Sequence, residues 1–239
     1  MLKQKKSPKF TYSEKEMADS FERFMIAKRG LPGIGRFSRV FREIDCQQGR
    51  PDFIALSRGK PSFLKGNTIS LKLAGSLVLS FLHEGSPRTA DYLREHGGLS
   101  RRSVQQALAE LLKHGYIKRK ESGAYVENPS KSLRDVEVLA IELKLDHPRR
   151  ALFQAQQARS FAQRALIVVP PPQESNYDKY AVPLRRWGIG LATFEPASHE
   201  FELFRTPRPS QPRSKQHQAY AMFQLLDDVS QQCLAGYAS

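Results

Sequence analysis

The residues with the clearest chemical potential are Asp52, in the run GRPDFIAL, and the pair Glu142 and Lys144, in DVEVLAIELKLDHPRR. The second run is otherwise among the most apolar in the chain. On a strand, alternate residues share a face. Val136, Val138, Ala140, Glu142 and Lys144 therefore lie on one side, and Leu139, Ile141, Leu143 and Leu145 on the other. Apolar residues on both faces predict a central strand, with its charges confined to the last positions. Asp52 opens its own strand on the face of Ile54 and Leu56. If the two strands pair antiparallel, the start of one lies beside the end of the other, and Asp52, Glu142 and Lys144 meet. Two carboxylates and an ammonium gathered on a sheet can bind a divalent ion and orient a water. The structural alternative is an ion pair between Glu142 and Lys144, which is costly to bury unless it is well bonded.

The surrounding elements have to position these groups. YSEKEMADSFERFMIAKRG predicts a first helix, with Met17, Phe21, Phe24 and Met25 at helical spacing and Gly30 and Pro32 to stop it. LPGIGR is a glycine loop too short and too poorly placed to cradle a phosphate. RVFREIDC and PDFIALS have strand character and are separated by the turn-like QQGR. VEVLAIELKL is the third strand. PRRALFQAQQARSFAQR then predicts a helix, with Pro148 in its first turn and Ala151, Leu152, Ala155, Ala158 and Ala162 along one face. ALIVVP, WGIGLATFE and HEFELFR follow as strands, RTPRPSQPRSK as a Pro/Arg-rich linker, and AYAMFQLLDDVSQQCL as a closing helix.

The order helix, strand, PD strand, E-x-K strand, helix, strand resembles the PD-(D/E)XK nuclease superfamily, over most of residues 12–58 and 135–205. The resemblance implies a restriction-endonuclease-like α/β fold, a mixed central sheet flanked by helices, and metal-dependent hydrolysis of DNA phosphodiester bonds. It implies Mg²⁺, with Mn²⁺ as a substitute, held by Asp52, Glu142 and the backbone carbonyl of Leu143. Lys144 would orient the attacking water or offset charge developing on the phosphorane. Glu14, on the face of Met17 and Phe21, would support the site from the first helix, with Glu22 as its rival. Gln154, or Gln157 one turn on, would contact metal-bound water or DNA.

The departure from that pattern is the long gap between Asp52 and Glu142, filled by a block of a different kind. Residues 68–127 hold three helical patterns followed by a strand, a turn at Gly123 and another strand. Leu73, Leu77 and Leu79 to Leu82 supply the first helix. TADYLREH is the second, and GGLS leads to the third, SRRSVQQALAELLKHG. Ser100 can cap this third helix, Leu108, Leu111 and Leu112 face inward, and Gly115 closes it. The phrase LSRRSVQQALAELLKHGYIKR resembles a winged helix-turn-helix. In such modules the start of the third helix enters the DNA major groove and the wing touches the backbone. Carried onto this chain, Ser100, Arg101, Arg102, Ser103, Gln105 and Gln106 take the groove-facing positions, a chemistry suited to base edges. Lys118, Arg119 and Lys120 suit phosphates. The alternative is that the same fold serves a protein contact.

The expected organisation is a nuclease domain in two parts, residues 1–66 and 130–239, with the winged helix-turn-helix inserted as residues 67–129. An insertion at a hairpin tip leaves the paired strands intact, and the tip lies roughly 20 Å from the carboxylates at ~3.3 Å per residue. The net charge of +14 calls for a polyanionic partner, and DNA is the first candidate. RNA or branched DNA would satisfy the same charge. A non-catalytic DNA-binding protein on a nuclease-like scaffold is the other function class. A homodimer is one way for a one-site subunit to cut both strands. No apolar run reaches the ~18–20 residues of a membrane span. The two cysteines, Cys46 and Cys233, form no CxxC pair and suit a reducing cytoplasm. His83, His96, His114, His147, His199 and His217 show no ligand spacing.

Overall fold

The computed structural model describes residues 10–58, 69–83, 85–133 and 136–236, the last seven by backbone alone. Helix α1, Glu14–Lys28, starts at a reciprocal cap: Ser13 Oγ accepts from the Glu16 N–H at 3.2 Å, and Glu16 Oε2 accepts from the Ser13 N–H at 2.7 Å. It ends at Arg29 in the left-handed region, φ 52°. At Gly30 a Cβ atom would stand 2.1 Å from the Gly35 carbonyl, so only glycine allows the small hairpin of β1, Gly30–Leu31, and β2, Gly35–Arg36.

Strands β3, Arg39–Arg42, and β4, Phe53–Arg58, form the next hairpin. The inserted block follows as α2, Lys72–Phe81, α3, Ala90–Gly97, α4, Arg101–Lys113, β5, Ile117–Arg119, and β6, Tyr125–Glu127. The chain then returns through β7, Glu137–Leu143, α5, Pro148–Ala158, and β8, Arg164–Val169. A 3-10 stretch, Gln173–Tyr180, runs into α6, Ala181–Trp187. Strands β9, Gly190–Glu195, and β10, Glu200–Arg205, precede the long α7, Lys215–Gly236.

Six strands make one mixed sheet in the order β10-β9-β8-β7-β4-β3. β7, β8 and β9 run parallel, and the other neighbours are antiparallel. The central strands are apolar on both faces because both are covered. On one face Phe53, Ala55, Leu139, Ile141 and Leu143 pack against Met17, Phe21, Phe24 and Met25 of α1. On the other, Ile54, Leu56, Val138 and Ala140 share a core with Ala221, Met222, Phe223 and Leu226 of α7. The same core continues into the insertion through Val78, Leu93, Val104, Leu108 and Leu111. The winged block is thus seated on a sheet face, with α7 between the two.

Several sequence expectations change. Leu73 is 52% exposed rather than a core residue. The buried positions of α2 are Gly75, Ser76, Val78 and Leu79, and a Cβ at Gly75 would lie 3.6 Å from Phe223 Cε2. Small residues there let α7 approach, and Leu73 falls off that contact. The α5 helix stops at Ala158, short of SFAQR, and the buried Arg159 guanidinium reaches forward to donate to the carbonyls of Ala162 and Gln163 in the turn that follows. Trp187 ends α6, with Gly188 as its left-handed cap, so WGIGLATFE is strand only from Gly190. RTPRPSQPRSK is not a free linker. Arg208, Ser210 and Arg213 donate backbone N–H groups to Gly188, Gln163 and Arg159, and Lys215 already belongs to α7. The predicted boundary at residues 66 and 67 lies outside the described residues.

Candidate active site and nucleic-acid interface

The antiparallel register brings the two motifs together. Phe53 is opposite Ile141, so Asp52, one residue before β4 begins, stands beside Glu142 at the end of β7. The Leu143 N–H donates to Asp52 Oδ2 at 2.7 Å. Lys144 follows the strand directly, and its backbone N–H donates to the Val168 carbonyl at 3.0 Å, which holds it in line with β8. Its ammonium lies 2.7 Å from Glu142 Oε1 and 3.7 Å from Asp52 Oδ2, and donates to the Leu143 carbonyl at 2.8 Å. It also donates to Glu14 Oε1 at 3.1 Å. The first turn of α1 therefore meets the sheet end. Glu22, the rival, pairs with Arg42 at 3.1 Å beside Asp19.

Burial dominates the electrostatics. Glu142 is 3% exposed and Lys144 7%. The Glu142 pKa is pushed up to about 7, chiefly by burial and then by the Asp52 charge, against the pull of Lys144. Burial also raises Asp52, opposed by Lys144 and the Leu143 N–H. For Lys144, burial works against the ammonium, but Glu142, Asp52 and Glu14 together outweigh it and its pKa ends above the ordinary value. One cation thus serves three carboxylates. Such perturbed groups cluster at functional sites, although structural ion networks perturb pKa values too.

Among the described residues, no group of three or more histidine, cysteine, aspartate or glutamate side chains is placed to hold a metal ion by itself. The donor set nevertheless suits a hard divalent ion, which prefers carboxylate and carbonyl oxygens. Glu142 Oε1 is buried and, despite its closeness to the ammonium, accepts no aligned hydrogen bond, leaving lone pairs for a further ligand. The Leu143 carbonyl is occupied by Lys144. The Gln154 Oε1 atom is buried without a hydrogen-bond partner on α5. No hydrogen bond among the described residues links Gln154 to either carboxylate. Gln157 lies next to Gly49 instead. Sequence reasoning passed over Tyr177, whose buried hydroxyl has no hydrogen-bond partner and whose pKa is raised by burial, then by Tyr180, Glu142 and Asp146. Its one sequence signal is an aromatic in a polar run.

In the inserted block, Ser100 caps α4 by accepting from the Ser103 N–H at 3.0 Å, and the two hydroxyls lie 2.8 Å apart. Both serines are thus engaged in shaping the helix start. Val104, Ala107, Leu108 and Leu111 are buried, while Arg101, Arg102, Gln105 and Gln106 are exposed on the opposite face. Lys118, Arg119 and Lys120 are exposed on the wing. The Arg119 guanidinium lies 5.9 Å from the Tyr125 ring centre. Arg88 adds a bridge to the wing by exchanging backbone hydrogen bonds with Tyr125 at 2.9 and 2.8 Å. Its guanidinium stands 4.6 Å from the Tyr92 ring. The sequence hint was a lone arginine before the Thr89 cap of α3.

No helix among the described residues is long and apolar enough to cross a membrane. No curated protein and no solved structure matches the chain. Residues 70–124 match the MarR family, and that match supports a winged helix of the DNA-binding kind from α2 to the wing. It does not extend into the strands that carry Asp52, Glu142 and Lys144.

Proposed function

We propose that the chain binds DNA through its inserted winged helix and hydrolyses phosphodiester bonds at the Asp52, Glu142 and Lys144 cluster. The binding part is supported by the MarR-family match together with exposed arginine and glutamine at the start of α4 and three cations on the wing. The hydrolytic part rests on one observation: residues far apart in sequence, Asp52 and Glu142, are set side by side by strand register, with Lys144 buried between them.

Asp52 and Glu142 would hold Mg²⁺, or Mn²⁺ in its place, with the Leu143 carbonyl joining once Lys144 turns away. A bound divalent ion would supply Lewis acidity at the scissile phosphate and a more acidic water. Lys144 holds its proton through its three carboxylate neighbours, so on turning from the Leu143 carbonyl it acts as a permanent cation and hydrogen-bond donor toward the water or the phosphorane. Glu14 keeps the ammonium directed from the side of α1.

A second reading has an observation of its own. The MarR-family match covers residues 70–124, within the DNA-binding block, which favours a non-catalytic DNA-binding protein with a nuclease-like scaffold. Plasmid nicking in Mg²⁺ or Mn²⁺ separates the two. On the first reading the wild type nicks, and Asp52→Ala and Lys144→Ala do not. A wild type that leaves supercoiled, linear and branched DNA uncut supports the second. Cutting that survives both substitutions puts the chemistry elsewhere. Double-strand breaks whose rate rises with the square of enzyme concentration would indicate a working homodimer.

A further inference from the structure

The parallel strands β7 and β8 end on the side of the sheet where Asp52 and Glu142 lie. Crevices at the carboxyl ends of parallel strands are where α/β sheets collect ligands. Here the crevice is walled by the two segments that leave those strands: the N-terminus of α5 after β7, and Gln173–Tyr180 after β8. His147, Pro148, Arg149, Arg150, Lys179 and Tyr180 line a cavity of about 760 Å³. That volume falls in the roughly 300–1,000 Å³ range of small-ligand sites.

The wall is strongly cationic. Among the described residues, Arg149, Arg150 and Lys179 have no carboxylate at ion-pair distance. The acid next to them, Asp146, is paired with His147 Nε2 at 3.1 Å. Lys179 has the Tyr180 ring 5.3 Å away. Arg149 and Arg150 at the positive end of α5 and Lys179 on the facing segment repel one another unless an anion joins them. The buried Tyr177 phenol, which has no hydrogen-bond partner, belongs to the Gln173–Tyr180 segment of this wall. One helical turn beyond Arg149 and Arg150, Phe153 is 58% exposed on α5. A phosphate or other small anion has no use for an exposed aromatic, whereas an unpaired base stacks on one.

We propose that this cavity is a second nucleic-acid contact, seating backbone phosphates of a single-stranded segment next to the Asp52, Glu142 and Lys144 cluster, with Phe153 stacking on an unpaired base. The placement beside a working cluster rests on the hydrolytic reading; the binding itself does not.

The test uses the full chain carrying Arg101→Ala and Arg102→Ala, so that the winged helix contributes little. The probe is a fluorescent single strand of about a dozen nucleotides, against its duplex, with chelator present to prevent cutting. Adding Arg149→Ala, Arg150→Ala and Lys179→Ala should weaken single-strand binding ~10–100-fold and lower the salt slope by about 1.4–2, at ~0.7 per phosphate for two or three phosphates. Replacing both arginines by lysine should keep most of the slope, which separates lost charge from a damaged fold. Phe153→Ala should weaken the single strand ~5–100-fold and leave the duplex nearly unchanged. An unaltered affinity and slope in the triple variant overturns the proposal. So does displacement of the strand by inorganic phosphate or a mononucleotide at concentrations equal to the strand itself, which would make a free anion the ligand. If the strand binds as expected but Mg²⁺ produces no cutting, the hydrolytic reading fails and the cavity stands. If the chain cuts, and the triple variant cuts short single strands with an unchanged KM, the cavity proposal fails alone.

Discussion

Glu142→Gln distinguishes a functional carboxylate from a structural ion pair, because the two readings give its effect on stability opposite signs. The wild-type carboxyl is buried, and its pKa is pushed up from 4.5 to about 7. A folded-state acid with a raised pKa still holds its proton at pH values where the unfolded chain has released it. Stability therefore falls as pH rises from about 4.5 to about 7 and stays at the lower level above. At about 1.4 kcal/mol per unit, that interval sets a ceiling of roughly 3 kcal/mol. Glutamine has nearly the same shape and no charge to desolvate, and Lys144 keeps Asp52 and Glu14. The variant should equal the wild type near pH 4.5, exceed it by about 1–3 kcal/mol at pH 8 and, on the proposed hydrolytic reading, fail to nick plasmid DNA. Urea unfolding over a pH series, with chelator present, measures both curves. Adding Mg²⁺ should restore wild-type stability at pH 8, because a bound cation favours the ionised carboxylates, and should do little for the variant. A variant less stable than the wild type at pH 8, or one that retains the wild-type pH slope, refutes the reasoning. The pair with Lys144 would then be a net contributor to the fold.

Three further outcomes follow from the packing. Phe223→Ala empties a fully buried site between α7, Tyr116 and the sheet face, and should cost about 3–5 kcal/mol, lowering one cooperative thermal transition. Two transitions, of which only one moves, would show that the insertion folds independently. Arg159→Ala removes the guanidinium that bonds Ser210 and the Ala162 and Gln163 carbonyls, at a cost of about 1–3 kcal/mol. Trypsin should then cut after Arg213 far faster than in the wild type, and an unchanged digestion pattern would mean the segment is held by other contacts. Ser100→Ala deletes the α4 cap and should cost about 1 kcal/mol in thermal unfolding, with weaker DNA binding in a gel shift.

How much could be read in advance depended on whether a residue's partners were local. The two-sided burial of β7 was legible because strand periodicity is set by the backbone, and Val138, Ala140, Leu139 and Ile141 alternate between two cores as expected. The winged block was legible from α3 to the wing for the same reason, since its caps and turns are internal to it, but the face of α2 was not, because Gly75 meets Phe223 of α7. The 3-10 stretch and α6 were not. QESNYDKYAVPLRRW has no regular apolar period, carries Pro183, and buries only Gln173, Tyr177 and Leu184. The Pro/Arg-rich segment looked free because its anchors, Arg159 and Gly188, lie on other elements. Glu14 and Glu22 could not be ranked from the helix alone. The end of the sheet on which the first turn of α1 docks makes the choice.

The sequence by itself determined the parts: an alternating central strand ending in Glu142 and Lys144, a strand opening with Asp52, and a capped basic helix followed by a wing. Tertiary structure alone decided how they meet. Strand register placed Asp52 beside Glu142, and the burial that followed pushed Glu142 up while its charge neighbours held Lys144 protonated. The shared core through α7 and the cationic cavity at the ends of β7 and β8 were likewise tertiary outcomes. Local spacing specifies which face a side chain takes, but its neighbours and its dielectric surroundings come from segments that only folding brings together.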